Sequence, residues 1–164
     1  MQIQKSTPED LDAILAIYTQ ARQFMAESGN PGQWVRGYPQ RERVQQDIQA
    51  GHSYVALTED GIVAVFYFAI EIEPSYAEIS AGQWLNDHPY GVVHRIASAS
   101  RQRGLAAACL NWCFAQHPNI RIDTHRDNLP MRRLLQKLDY QYCGVIRLAD
   151  GAERLAFQKI ASDT

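Results

Sequence analysis

Cysteine is scarce in this chain, and long apolar runs are absent from it. The 164 residues include only three cysteines, Cys109, Cys113 and Cys143, and no CxxC pair. Cys109 and Cys113 lie four residues apart in a helical pattern, so we expect buried free thiols rather than a disulfide framework. No apolar run approaches the ~20 residues of a membrane span, and residues 1–5 lack the apolar core of a signal peptide. These absences favour a reducing, cytoplasmic location without membrane contact.

The chain also lacks a large net charge. Its 16 Lys and Arg residues and 18 Asp and Glu residues give a net charge of -2, whereas a duplex-binding protein is usually basic overall. We therefore expect no nucleic-acid partner. The charges are nevertheless sorted, because residues 94–137 carry eight basic and two acidic residues, whereas residues 59–90 carry six acidic and no basic ones. This distribution indicates that one segment faces an anion and that another attracts a cation.

Neither an internal repeat nor a linker interrupts the sequence, which predicts one domain over residues 1–164. Helical periodicity covers about 11–25, 40–50, 105–113 and 131–138, and strand-like runs lie around Ile3, 54–57, 62–70, 92–97, 120–124, 140–148 and 153–158. Asp-Gly pairs at 60–61 and 150–151 predict hairpin turns. The order β-α-α-β-β-β-α-β-α-β-β predicts an α/β fold, with a mixed sheet of about seven strands and about four helices on its faces.

One loop carries a recognisable chemical pattern. Residues 101–106, Arg-Gln-Arg-Gly-Leu-Ala, connect a predicted strand to a predicted helix. The first N–H groups of a helix have no intrahelical partner and lie at the positive end of the helix dipole, so such a turn binds phosphate. Gly104 and Ala106 leave room for a pyrophosphate, and Arg101 and Arg103 add charged donors. GxxxxGK[ST] and GxGxxG are both absent, which excludes a P-loop and a dinucleotide fingerprint. An ordinary basic loop that caps a helix is the alternative for these residues alone.

In this context the chain resembles the GNAT superfamily of acyl-CoA-dependent N-acyltransferases. The signature R/Q-x-x-G-x-G/A corresponds to Arg101, Gly104 and Ala106. The likeness covers nearly the whole chain through the order of elements, the strand end at 94–97 and Asn128 at the start of the next helix. The loop 98–100 is shorter than the usual family form, which leaves open which N–H meets which phosphate oxygen. The resemblance implies acetyl-CoA as acyl donor, direct transfer to an amine, and no metal.

The same resemblance implies where acetyl-CoA would bind. Strands 92–97 and 120–124 would run parallel and splay apart, with the pantetheine arm in the gap beside the backbone of Ile96 and Ala97. An N–H at Ala97 or nearby would stabilise the oxyanion of the tetrahedral intermediate. The residues expected to bind the cofactor are Ile96, Ala97, Ser98, Arg101, Gln102, Arg103, Gly104, Leu105, Ala106 and Asn128.

His94 occupies the strand position at which the family often carries its general base. An unperturbed imidazole pKa of ~6.5 suits a base at neutral pH. The alternative is a buried, hydrogen-bonded imidazole that fills space between sheet and helix. Other candidate bases are Glu73, Asp123 and His125. No spacing among the His, Cys and Asp residues supports a metal site.

The family's general acid is absent from its usual place. A tyrosine seven residues after the asparagine would protonate the departing thiolate, and the residue seven positions after Asn128 is Leu135. Leu135 belongs to the apolar stripe of its helix, so we expect it in the core. Water, Tyr140 or Tyr142 could serve instead.

We expect the acceptor to be a small amine or an amino-acid-like molecule. Trp34, Tyr76 and Trp84 would wall its pocket, and acidic residues such as Glu73 would attract its ammonium group. For each aromatic residue alone, packing beneath a loop is the simpler interpretation. Two other functions stay open: a catalytically weak acyl-CoA-binding regulatory module, and an acetyltransferase that acts on a protein lysine or N-terminus. The protein would act as a monomer or a homodimer.

Overall fold

The computed structural model describes residues 1–99 and 103–162, and in these residues it has seven strands and four helices in the predicted order. The strands are β1 (Gln2–Lys5), β2 (Ser53–Thr58), β3 (Gly61–Ile70), β4 (Gly91–Ser98), β5 (Asn119–Thr124), β6 (Gln141–Arg147) and β7 (Glu153–Ile160). The helices are α1 (Leu11–Glu27), α2 (Arg41–Gln49), α3 (Leu105–Gln116) and α4 (Leu129–Lys137). None of the helices in the described ranges is both long and apolar enough to cross a membrane.

The helix starts follow capping chemistry that is visible in the sequence. Asn128 caps α4, because its side chain accepts a hydrogen bond from the N–H of Met131 at 3.2 Å. Thr7 caps the first helical segment, but Pro8–Asp10 form a 3-10 turn and α1 begins only at Leu11. The tighter turn arises because the N–H of Asp10 donates to the carbonyl of Thr7, while the Asp10 carboxylate accepts from the Thr7 N–H at 2.8 Å.

The sheet has the order β1-β2-β3-β4-β5-β7-β6. All neighbouring strands are antiparallel except β4 and β5, which run parallel. These two strands pair only through Gly91 with Ile120 and Val92 with Arg121, so they separate beyond that point. The splayed pair of parallel strands that the resemblance implied is therefore confirmed, and it leaves a gap in the middle of the sheet.

Apolar side chains fill both faces of the sheet. On one face α3 and α4 pack over β3 through residues such as Phe66, Leu110 and Leu135, and Leu135 is fully buried. On the other face α1 and α2 cover Val55 and Val65. Leu135 is thus a core residue, as expected from the stripe of α4.

The three cysteines are free and buried, which confirms the expectation of inert thiols. Burial raises the pKa of Cys109 to about 12, and it also raises the pKa of Cys143. Because the thiolate is the nucleophilic form, burial disfavours these cysteines as covalent nucleophiles.

Candidate active site

A cavity of about 910 Å³ lies where β4 and β5 separate. Its walls are the ends of these two strands, the loop between α1 and α2, and the turn between β6 and β7. The lining includes Ile96 at the end of β4 and Thr124 at the end of β5. It also includes Trp34 in the α1–α2 loop and Asp150 in the β6–β7 turn. We call it the central cavity. It joins the gap in the sheet to a space enclosed by two loops.

The β4 edge of the gap is built from backbone. Ile96 lines the central cavity, while Ala97 and Ser98 continue the antiparallel pairing with Val65 and Ala64 of β3. Because β5 has already separated from β4 here, the side of β4 that faces β5 offers unpaired backbone groups. An extended chain could pair with this edge as an added strand would.

The start of α3 is a second backbone feature. Gly104 precedes the helix with φ 86°, in the left-handed region that favours glycine, and among the described residues no side chain caps the helix there. The first hydrogen bond of α3 runs from Ala108 N–H to Gly104 O at 3.0 Å, so the N–H groups of Leu105 and Ala106 have no intrahelical partner. Arg103 is exposed beside them. Arg101 and Gln102 lie outside the described residues.

Within β4, Arg95 forms a β-bulge. Val65 lies opposite Ala97 and Tyr67 opposite His94, so a single residue of β3 faces both Arg95 and Ile96. Arg95 has φ 48°, an uncommon conformation for a residue with a side chain. A bulge bends its strand and takes one residue out of the ladder. It therefore changes the direction of the backbone at the edge of the central cavity.

Four side chains hold this bulge. The Arg95 guanidinium donates to both carboxylate oxygens of Asp47 on α2, at 2.7 and 2.9 Å, and to the hydroxyl of Tyr38 at 2.9 Å. The carbonyl of Arg95 accepts a hydrogen bond from the Tyr18 hydroxyl at 2.7 Å. Its guanidinium also lies 4.8 Å from the ring centre of Tyr67. Asp47 is only 5% exposed, so this is a buried ion pair.

His94 lies in the central cavity next to Glu73. The two side chains are joined by a hydrogen bond of 3.0 Å between Nε2 and Oε2. This hydrogen bond lowers the pKa of Glu73 from 4.5 to about 2, although burial opposes the shift. Glu73 is therefore a carboxylate at neutral pH and accepts the bond, so Nε2 carries the proton. Nδ1 is then the ring nitrogen that does not contact Glu73.

Two tyrosine–carboxylate pairs surround this dyad. Tyr76 donates to Asp123 at 2.7 Å, and Tyr67 donates to Glu71 at 2.6 Å. Burial raises the pKa of Tyr76 well above its ordinary value, and burial followed by the bond to Glu71 raises the pKa of Tyr67. Both phenols therefore remain protonated donors at neutral pH.

Gln33 connects the loop between α1 and α2 to the rest of the site. Its side-chain oxygen accepts hydrogen bonds from the amides of Asn30 at 2.9 Å and Asn128 at 3.0 Å. Its backbone carbonyl accepts from the guanidinium of Arg154 at 3.0 Å. The adjacent Trp34 packs edge to face on Tyr18 at 5.6 Å. Asn128, a predicted cofactor contact, therefore both caps α4 and holds this loop.

The structure brings together only some of the predicted acceptor residues. Trp34 and Glu73 line the central cavity, whereas Tyr76 and Trp84 line a second cavity of about 520 Å³ together with Glu73. The Trp84 indole donates to the carbonyl of Tyr76 at 2.9 Å, and the Arg121 guanidinium lies 4.2 Å from the Trp84 ring centre. Tyr76 and Trp84 thus pack against each other within residues 71–90, and Tyr76 adjoins the central cavity through its hydrogen bond to Asp123 and its ring, whose centre lies 6.4 Å from that of His94.

Neither tyrosine suggested as a substitute acid lines the central cavity. Tyr140 is 5% exposed and packs in the core beside α3, and Tyr142 is exposed near the far edge of the sheet. Among the described residues, the tyrosines that line the cavity are Tyr38 and Tyr67. Sequence reasoning did not identify these two residues, and it also missed Arg95, Asp47 and Arg154. The only signal for Tyr67 was its place in a strand that precedes acidic residues.

The chain matches no protein-family model and no curated protein. It is 37% identical to a GNAT-family acetyltransferase from Streptococcus agalactiae 2603, and the alignment covers 99% of this chain and 96% of that one with a TM-score of 0.90. The chain belongs to the GNAT family. Its mixed sheet with splayed β4 and β5 is the fold of that acetyltransferase. This membership establishes an acetyltransferase fold and leaves the acceptor undetermined.

Two GNAT structures with lower sequence identity share this fold. An acetyltransferase from Listeria monocytogenes 4b F2365 is 17% identical over 96% of this chain and 93% of that one, with a TM-score of 0.70. The GNAT-like decarboxylase GphF, in complex with isobutyryl-CoA, is 14% identical over 98% and 99%, with a TM-score of 0.69. At these identities the likeness shows the fold alone, and the decarboxylase shows that one fold serves more than one reaction.

Proposed function

We propose that this protein transfers the acetyl group of acetyl-CoA to the primary amine of a small molecule by direct attack. The observation that carries this proposal is the His94–Glu73 pair, joined at 3.0 Å on the wall of a cavity that includes the gap between β4 and β5. A proton acceptor therefore lies beside the place at which a thioester would enter. Acetyl-CoA supplies the activated acetyl group.

The backbone features of the site fit an acyl-CoA. A pyrophosphate is an anion with many acceptor oxygens, and the N–H groups of Leu105 and Ala106 at the start of α3, which have no intrahelical partner, are suited to it. A Cβ added at Gly104 would meet no atom of residues 1–99 and 103–162 within 4 Å, so the described part of the chain leaves room for phosphate at this turn. The edge of β4 at Ile96, Ala97 and Ser98 would hydrogen-bond the pantetheine amides. Arg103, together with Arg101 and Gln102, would add donors from the loop, and Asn128 would contact the arm through its amide.

His94 would act as general base. With Nε2–H donated to Glu73, Nδ1 takes the proton that the attacking nitrogen loses, and Glu73 stabilises the resulting imidazolium. The nitrogen forms a bond to the carbonyl carbon, the C–S bond breaks, and the sulfur leaves with the electron pair. An unpaired N–H of β4 near Ala97 would stabilise the negative charge that develops on the carbonyl oxygen.

The departing thiolate needs little help from an acid. A thiol with a pKa of ~8.5 is a good leaving group compared with an alkoxide. The buried Leu135 at the family's tyrosine position is therefore compatible with turnover. A regulatory acyl-CoA-binding module is the alternative that Leu135 favours, but such a module would not require the His94–Glu73 pair.

The loop between α1 and α2 supports a small acceptor. It is fixed over the end of β5 by the hydrogen bonds of Gln33, and Trp34 and Tyr38 line the cavity on that side. This arrangement narrows the space next to His94. A small amine fits a cavity with such walls, whereas a protein lysine favours an open groove.

The test is a screen of small amines with acetyl-CoA, in which acetylated products are identified by mass spectrometry. Peptides that offer a lysine or a free N-terminus form a second panel. We expect turnover on at least one small amine and none on the peptides. Tight binding of acetyl-CoA in calorimetry without any acetylated product would support the regulatory module and contradict the proposal. Products from the peptides alone would indicate a protein acetyltransferase.

A further inference from the structure

Charged side chains of both signs line the central cavity, and apart from Arg95 and Asp150 they form two groups. The acidic group surrounds His94, and the basic group lies at the α1–α2 loop and the adjoining start of α2. The acidic group is Glu71, Glu73 and Asp123, and the basic group is Arg36, Arg43 and Arg154. A neutral amine would have no use for the basic group.

Arg154 is the most informative member of the basic group. It is only 7% exposed, and its guanidinium donates to two backbone carbonyls, those of Gln33 and Glu153, each at 3.0 Å. Within residues 1–99 and 103–162 it forms no ion pair with a carboxylate. The positive charge of Arg154 also affects a neighbouring histidine. Burial, followed by the proximity of Arg154, lowers the pKa of His125.

Arg95 shows the contrasting arrangement. This guanidinium lines the same cavity, but both oxygens of the buried Asp47 neutralise it at 2.7 and 2.9 Å. A buried cation without a counter-ion is costly. The fold therefore pairs the arginine that holds the bulge and leaves Arg154 unpaired, which points to an anion that arrives with the substrate.

Arg36 and Arg43 extend the basic group towards solvent. Arg36 follows Gln33 by three residues, so it lies on the loop segment that Arg154 anchors. Both side chains are exposed, and neither forms an ion pair within the described ranges. Asp150 also lines the cavity near the β6–β7 turn, and its carboxylate accepts from the Ala152 N–H at 3.0 Å.

The acidic group is organised around the base. Glu73 contacts His94, and Asp123 is held by Tyr76, whose ring centre lies 6.4 Å from that of His94. An ammonium group is stabilised here before it loses its proton to His94. The cavity thus offers negative charge at the dyad and positive charge at the α1–α2 loop, which is the pattern that a zwitterion requires.

We infer that the acceptor is an amine that also carries a carboxylate, namely a free amino acid or a close relative, and that Arg154 binds this carboxylate. The inference rests on the proposed function, because it assigns the acceptor of the same site. The guanidinium donates one N–H from each terminal nitrogen to a backbone carbonyl, and its remaining N–H groups are charged donors for the oxygens of a carboxylate. Arg36 and Arg43 raise the local concentration of such anions at the entrance.

The experiment compares matched acceptors that differ only in the anionic group. The common L-amino acids, their carboxamides and the corresponding decarboxylated amines are each assayed with acetyl-CoA. We expect kcat/KM to be roughly 10- to 100-fold higher for the amino acid than for its carboxamide, the range typical of a hydrogen bond to a charged group. In Arg154→Gln we expect similar kcat/KM values for the amino acid and its carboxamide. Arg154→Lys should retain part of the preference for the amino acid.

Arg147→Gln is the matched control. Arg147 lies on the same hairpin with a side chain that is 66% exposed, it pairs with Glu153, and it does not line the central cavity. This variant should keep the wild-type preference. Because the readout is a ratio between two acceptors, a general loss of stability in Arg154→Gln does not imitate the result. A wild type that acetylates carboxamides or decarboxylated amines as well as amino acids would overturn the inference while it supports the proposed function.

A binding experiment separates the two proposals further. N-acetyl amino acids and their carboxamides are added to the protein with CoA, and melting temperatures are recorded. We expect a shift with the N-acetyl amino acids that is lost in Arg154→Gln. If this shift is seen without turnover on any amine, the carboxylate subsite stands and the proposed acetyl transfer fails. Equal shifts with both compound series would overturn the subsite.

Discussion

The proposed donor and acceptor regions of the site are built from different parts of the chain. The proposed donor half comprises the β4–β5 gap of the central cavity and, outside the cavity lining, the start of α3, and it presents mainly backbone groups from two adjoining stretches of sequence. The acceptor half presents side chains from distant positions, such as Tyr38, Tyr67, Glu73 and Arg154. Backbone recognition needs only a strand, a glycine and a helix start in the right order. Side-chain recognition needs residues that the fold alone brings together.

Under the proposed function, this difference would allow the acceptor to change while the acyl donor stays the same. The donor half tolerates substitution wherever the backbone path is preserved. In the acceptor half every exchanged side chain changes the charge or the shape that the acceptor meets. Variants of each half should therefore affect separate properties, and the following predictions test that separation.

The largest effect is expected for the base of the acceptor half. His94→Ala should lower kcat/KM by ~10²–10⁴-fold, because the attacking nitrogen loses its proton acceptor. Affinity for acetyl-CoA, measured by calorimetry, should stay unchanged. His88→Ala removes an exposed histidine outside the cavity and serves as control. A loss below severalfold at an unchanged melting temperature would mean that His94 only fills space.

The bulge of β4 is where the two halves meet, since a side chain from α2 fixes the backbone of the donor strand. Asp47→Ala leaves the Arg95 guanidinium without its carboxylate and should lower the free energy of unfolding by about 3–5 kcal/mol. Urea denaturation measures this change. Asp12→Ala breaks an exposed Asp–Arg pair at 3.4 Å and should cost at most about 1 kcal/mol. Equal costs for the two variants would show that the bulge does not depend on Asp47.

The donor half is tested by Gly104→Val. A residue with a side chain at φ 86° costs roughly 1–2 kcal/mol, and the valine would occupy the space beside the unpaired N–H groups of α3. Gly61→Val carries a similar backbone cost at φ 93° in the β2–β3 turn. Both variants should lose similar stability, but only Gly104→Val should weaken acetyl-CoA binding, by roughly tenfold or more. Unchanged affinity in a folded Gly104→Val protein would exclude this loop as the phosphate site.

The smallest effect concerns pH. The pKa of Glu73 is depressed from 4.5 to about 2, so its hydrogen bond with His94 stabilises the fold above pH 4.5 and this contribution disappears as the pH falls towards 2. Wild type should therefore melt at a higher temperature than Glu73→Gln above pH 4.5. This difference in melting temperature should become smaller as the pH falls below 4.5. Glu153→Gln, which removes an exposed carboxylate, should show no such closing. A difference that stays constant from pH 6 to the acid limit would contradict the ion pair.

The elements that carry the proposed donor half could be predicted from the sequence because their signals are local. Apolar periodicity located α3 and α4, the Asp-Gly pairs located two hairpins, and the family signature located Gly104. Leu135 was assigned to the core from the stripe of its own helix. Each of these features depends on residues within a few positions of one another.

The acceptor half could not be predicted in the same way. The sequence predicts Arg95 to be an ordinary strand residue, because no glycine or turn residue next to it indicates a left-handed backbone conformation. Asp47 reads as the exposed face of a short helix, and Arg154 as the outer face of a hairpin. Their roles arise from long-range pairing, which buries Asp47 against β4 and sets Arg154 beneath the α1–α2 loop. Tyr76 and Trp84 were predicted from their aromatic character, and their neighbours place them in the second cavity.

The burial of all three cysteines has a practical consequence for work at the bench. Cys109 and Cys113 are fully buried and Cys143 is 4% exposed, so the folded protein offers no ready thiol to an electrophilic dye. The CoA released during turnover then supplies the colour in a thiol assay, with little background from the protein. After denaturation the same dye would label three sites per chain, and one reagent would report both catalysis and unfolding.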